Sequence, residues 1–94
     1  MQAQISSFTL ADKVYPLREA LPLNIDDEKN HYGMLVLHNQ DYLILSMGYT
    51  LEEAVESAAS QLALTYHAYM RTPENEMTTQ AIRFRNKLKN LVAE

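Results

Sequence analysis

Residues 48–54, with the sequence GYTLEEA, constrain the fold most, because they join an apolar, strand-like run to a long helical pattern. Thr50 can accept a hydrogen bond from the backbone N–H of Glu53, and the Glu53 carboxylate can accept one from the backbone N–H of Thr50. Glu52 and Glu56 add negative charge near the helix N-terminus, where the helix dipole favours it. The pattern predicts sheet before residue 50 and helix after it.

The predicted helix extends over residues 50–71, because Thr72 precedes Pro73 and a residue before proline avoids the α region. Its apolar positions recur every three or four residues and form one stripe. The stripe consists of Leu51, Val55, Ala58, Leu62, Tyr66 and Tyr69. Packing of this stripe against a sheet explains it better than a cofactor site does.

Two short extended segments, residues 4–10 and 13–17, precede a connection predicted over residues 18–31, which includes an exposed acidic loop. Pro16 and Pro22 have no backbone donor, so the second strand is expected to end early or to lie at a sheet edge. The first half of the chain is therefore expected to be rich in short strands.

A hairpin is predicted from residues 33–38 and 42–47, which are joined by the three residues 39–41. Apolar residues occupy both faces of this hairpin, whereas a small antiparallel sheet usually leaves one face in water. We expect the second face to be covered, either by the C-terminal helix or by a second copy of the chain.

A second helix is predicted over residues 73–93, with Thr72 as N-cap and Pro73 at the first helical position. Its apolar residues follow a heptad-like spacing that is too short for an independent coiled coil and needs a partner surface, within the chain or from another protomer. The predicted partner or oligomer interface consists of Met77, Phe84, Leu88 and Leu91, together with Tyr42 and Ile44 of the hairpin.

The 94 residues suit a single domain, 1–94, of class α+β: a small antiparallel sheet of three to four strands (1–48) followed by two C-terminal helices. The chain has no cysteine, which excludes disulfides and thiolate metal sites. No apolar run is long enough for a signal peptide or a membrane span, so a cytoplasmic location is expected.

Charge is distributed unevenly along the chain. Residues 1–76 carry eleven acidic and four basic side chains, whereas residues 77–94 carry one acidic and four basic. The four basic residues are Arg83, Arg85, Lys87 and Lys89. A solvent-exposed helix face is the simpler interpretation; the alternative is contact with an acidic partner or with nucleic acid, which would be weak and salt-sensitive.

The sequence contains no pattern that indicates catalysis. His31, His38 and His67 lack metal-ligand spacing, and the chain has no phosphate-binding loop and no nucleophile motif. Helix capping accounts for the acids near residue 53, and an exposed loop accounts for those at 26–28. We therefore expect no enzyme activity, no metal and no cofactor.

Residues 42–58, YLILSMGYTLEEAVESA, resemble the HicB-like antitoxin family, in which a strand enters a G-x-T-x-E-E-A turn and a helix. The resemblance covers residues 34–70. Leu45-Ser46-Met47 stands where that family has a Pro-Asp-Leu-Pro-Gly-Cys-like run, and residues 73–94 have no counterpart to its DNA-binding tail. The resemblance implies a small α/β domain that binds and neutralises a partner protein without catalysis.

These observations predict a non-enzymatic interaction or regulatory protein of bacterial or phage type, either antitoxin-like or inhibitor-like. The apolar hairpin and the seam on the second helix predict a homo-oligomer, with a dimer as the expected form. The alternative is a nucleic-acid-associated protein that uses the basic C-terminal helix.

Overall fold

The computed structural model describes residues 3–26 and 33–93. Its elements in chain order are β1 (Ala3–Leu10), β2 (Lys13–Asp26), β3 (Leu35–Asn39), β4 (Ile44–Gly48), α1 (Leu51–Arg71) and α2 (Thr79–Leu91). The four strands form an antiparallel sheet in the order β1-β2-β3-β4, so strands that follow each other in sequence pair with each other. The predicted α+β class, a sheet followed by two helices, is confirmed.

β1 and β2 form a hairpin closed by the pair Leu10 and Lys13. The two loop residues, Ala11 and Asp12, both have positive φ, at 52° and 65°. A two-residue loop with positive φ at both positions matches the twist of the flanking strands. The predicted turn between these segments is therefore present, although no glycine marks it.

β2 continues to Asp26, so the connection predicted from residue 18 onward is wrong for residues 18–26. The register against β1 shifts between Ile5 and Ser7, which places residues 17–20 of β2 opposite a single residue of β1. This irregularity interrupts the simple alternation that would have indicated one long strand. The rest of the predicted connection, residues 27–31, lies outside the described residues, as does Tyr32.

Pro16 and Pro22 lie within β2. On the side of β2 that faces away from β1, no strand of the described residues pairs with them, so their missing N–H groups cost no sheet hydrogen bond. Their carbonyl oxygens are used instead, because Pro16 accepts from the backbone N–H of Ala93 at 2.8 Å and Pro22 accepts from Asn39 Nδ2 at 2.8 Å. β3 pairs only with residues 24–26 of β2. The prolines therefore mark a local sheet edge, as predicted, but they do not end the strand.

β3 and β4 form the predicted hairpin, with register pairs from Asn39–Ile44 to Leu35–Gly48. Its loop is a 3-10 turn, Gln40–Tyr42, followed by Leu43 in the left-handed region at φ 57°. The buried Asn39 side chain accepts from the backbone N–H of Tyr42 at 3.2 Å. The Asn39 side chain thus caps the turn and also donates a hydrogen bond to the carbonyl of Pro22 in β2.

The start of α1 confirms the predicted N-cap, because Thr50 Oγ1 accepts from the backbone N–H of Glu53 at 3.1 Å. The Glu53 carboxylate accepts from the N–H of Tyr49 at 2.9 Å, one residue before the expected donor. Gly48 lies directly beneath this first turn, where an added Cβ would stand 2.5 Å from the backbone nitrogen of Ala54. Glycine is needed here for close approach of helix and strand.

The core lies between the sheet and α1. α1 contributes buried small residues and Leu62 from the predicted stripe, and its neighbours Leu51, Val55, Tyr66 and Tyr69 pack half-buried around them. The sheet contributes mainly Ile5, Phe8, Leu21, Leu37 and Ile44. Ser46 is the polar exception in β4, and its hydroxyl donates to the carbonyl of Ala54 at 2.9 Å.

α2 begins at Thr79 and is capped by Thr78, whose hydroxyl accepts from the N–H of Ala81 at 3.1 Å. The predicted start at residue 73 is therefore too early. Thr72 does not cap a second helix, because its hydroxyl donates to the carbonyl of Ala68 and so completes the end of α1. A 3-10 turn at Glu74–Glu76 separates the two helices.

Candidate functional site

The β3–β4 hairpin has an inner face toward α1 and an outer face that points away from it. On the outer face the cross-strand pairs are His38 with Leu45 and Val36 with Met47. Leu45 and Met47 are 61% and 48% exposed, and the residues that flank β4, Leu43 and Tyr49, are 69% and 66% exposed. These four exposed side chains, together with the half-buried Val36 and His38, define the outer apolar face.

The exposed apolar side chains of this surface are grouped together and are not scattered singly. The largest apolar patch on a typical monomer covers about 300–600 Å², and such a patch is often functional. The outer apolar face combines four large side chains that are about half or more exposed, so it is the candidate for such a patch. We had expected α2 or a second copy of the chain to cover it. Within one chain, α2 packs on α1 and β2 instead.

The predicted interface residues lie mainly where α2 meets the turn before β4. Leu88 and Ile44 are buried in the chain's own core, with 0% and 3% exposure. Phe84 contacts Tyr69 and Tyr42, with ring centroids 5.0 Å and 6.4 Å apart.

Leu91 and Tyr42 pack half-buried against the same core, and Met77 is also half-buried. The seam on α2 therefore has a partner surface within the chain. That a second protomer also contacts its accessible members stays a prediction.

Two of the four predicted basic contacts are engaged within the chain. Arg85 forms an ion pair with Glu74 at 3.3 Å, and its side chain is only 16% exposed. Lys87 donates to the carbonyl of Asp41 at 3.0 Å, and its ammonium lies 4.7 Å from the centroid of the Tyr42 ring. These two cations therefore fasten α2 to the preceding turn and to the sheet.

The other two basic residues, Arg83 and Lys89, are exposed, and neither has an ion-pair partner among residues 3–26 and 33–93. They are six residues apart on α2, which places them on different sides of the helix. The four basic residues consequently do not form one continuous cationic face.

Tyr42 lies beside a surface depression of about 340 Å³ lined by Arg18, Glu19, Tyr42, Lys87, Asn90 and Leu91. Burial raises the pKa of the Tyr42 phenol, and the nearby Asp41 carboxylate raises it further. Arg18 is held at this site by its Nε, which donates to the carbonyl of Val92 at 3.1 Å. The contacts made by these side chains mainly attach the C-terminal end of α2 to β2.

The outer edge of β4 is occupied by a side chain of α1. Gln61 Oε1 accepts from the backbone N–H of Leu45 at 3.1 Å, and Gln61 Nε2 donates to the carbonyl oxygen of the same residue. The amide thus replaces one pair of hydrogen bonds that a further strand would make. Sequence reasoning missed this contact, since a glutamine within a helix carries no signal of its partner.

The described residues contain no group of three His, Asp or Glu side chains close enough to hold a metal ion. His38 lies on the outer apolar face and His67 is exposed on α1, whereas His31 is outside the described residues. Nor does any helix in the described ranges have the length and apolar character needed to cross a membrane.

Comparison of this chain with protein-family models, with curated proteins and with solved structures gives no match.

Proposed function

We propose that this chain is a non-enzymatic interaction protein that binds and modulates a partner protein, in the manner of an antitoxin or an inhibitor, and that it forms a homo-oligomer. The outer apolar face is the observation that supports this proposal. Its four exposed side chains are contiguous along β4. Burying such side chains against another protein stabilises the complex by about 25 cal/mol for each Å² of apolar surface.

The proposed oligomer is a dimer that buries the outer apolar face at its centre. A standard interface buries about 800 Å² on each partner, so the apolar patch would supply the core and its polar surroundings the rim. Asn24 and Asp26 lie opposite His38 and Val36 on β2 and are exposed, which suits such a rim. A cytoplasmic location and a bacterial or phage origin belong to the same proposal.

The test compares charged substitutions on this face with one elsewhere on the sheet. Leu45→Lys with Met47→Lys should convert a dimer at about 100 μM into a monomer in sedimentation velocity, because lysine cannot be buried unpaired. Val14→Lys is the matched control, since Val14 is 59% exposed on β2, away from the β3–β4 hairpin. If the wild-type chain sediments as a monomer at that concentration, the proposed dimer is ruled out.

Modulation of a partner is tested separately. Affinity capture from the native host, performed in parallel with the wild-type chain and the double lysine variant, should recover a partner protein only with the wild type. Equal recovery with both would place the binding surface elsewhere on the molecule.

The nucleic-acid alternative has less support. Arg85 and Lys87 are engaged within the chain, and residues 1–76 carry a net charge that repels phosphates. A filter-binding assay at about 50 mM salt separates the two functions, because binding through phosphates would be detectable there and would decline steeply as salt is added.

A further inference from the structure

We draw no further inference here: the strongest candidate, an anion site in the depression where the C-terminal end of α2 meets β2, carries nothing, because its cations Arg18 and Lys87 already donate to backbone carbonyls and the carboxylate of Glu19 lines the same surface.

Discussion

The two edge strands of the sheet, β4 and β1, both pack against α1, but through different kinds of contact. At β4 the edge is fastened to α1 by the Gln61 amide on Leu45, by the Ser46 hydroxyl on Ala54 and by the close approach at Gly48. At β1 the helix packs closely as well, but the contact is apolar and involves buried side chains such as Ile5 and Phe8. An unprotected edge invites pairing with another chain. Side-chain hydrogen bonds to backbone protect the β4 edge, whereas β1 relies on the packing of α1.

The largest loss of stability is expected from a substitution that adds a side chain at Gly48, where α1 approaches β4 most closely. Gly48→Val places a branched side chain where even a Cβ would stand 2.5 Å from backbone, so the helix must move. We expect a loss of about 3 kcal/mol in the free energy of unfolding, measured by urea denaturation. Gly33→Ala is the control for the loss of a glycine; nothing lies within 4 Å of its added Cβ, although its φ of +76° favours glycine.

A Gly48→Val chain as stable as the wild type would mean that α1 is not held tightly to β4. The contrast between the two edges would then lose its basis.

A smaller effect is expected when the β4 edge is opened. Gln61→Ala removes two hydrogen bonds to the backbone of Leu45 and should cost about 1 kcal/mol of stability. It also exposes those backbone groups beside an apolar strand, so self-association should rise in sedimentation equilibrium. Gln80→Ala changes the same residue type at an exposed position of α2 and should alter neither quantity.

If Gln61→Ala leaves self-association unchanged, the amide is not what keeps the β4 edge from pairing. The closed character of that edge would then rest on the Ser46 hydrogen bond to Ala54 and on the close approach at Gly48.

The smallest effect concerns the turn that enters β4. Burial and Asp41 raise the pKa of Tyr42 above its ordinary value of 10.0 in the folded chain, so the unfolded chain loses its phenolic proton first. The stabilisation is complete below pH 10 and is lost as the pH rises through the folded-state pKa. Tyr42→Phe should flatten this alkaline decline by less than about 1 kcal/mol in pH-dependent urea titrations. An alkaline decline in Tyr42→Phe identical to that of the wild type would contradict the assignment.

Elements that depend on neighbours in sequence were predicted well. The start of α1 follows from the Thr50 cap, and the β3–β4 hairpin follows from two apolar runs around a short turn. Elements that depend on distant partners were not predicted. β2 extends past Pro16 and Pro22 because Ala93 and Asn39 use the carbonyl oxygens of these prolines, and neither contact leaves a local pattern.

The candidate sites show the same division. The sequence identified the basic residues of α2. The hydrogen bond from Lys87 to the Asp41 carbonyl could not be predicted from spacing, because the two residues are 46 positions apart. The predicted cap of α2 at Thr72 was wrong, because the Thr72 hydroxyl donates back to Ala68 and Thr78 caps the helix instead. The sequence showed that both faces of the β3–β4 hairpin are apolar. Which of the two faces stays exposed depends on where α2 packs, and this could not be predicted.

The bridge between Leu17 and Val92 has a consequence for the order of events during synthesis. Both hairpins use partners that emerge within a short stretch of chain, so they can form early. The hydrogen bond from Ala93 to Pro16 and that from Arg18 to Val92 wait until nearly all described residues have left the ribosome. Contacts of such long sequence separation slow folding, and until they form the β2 edge at Pro16 is open to other chains.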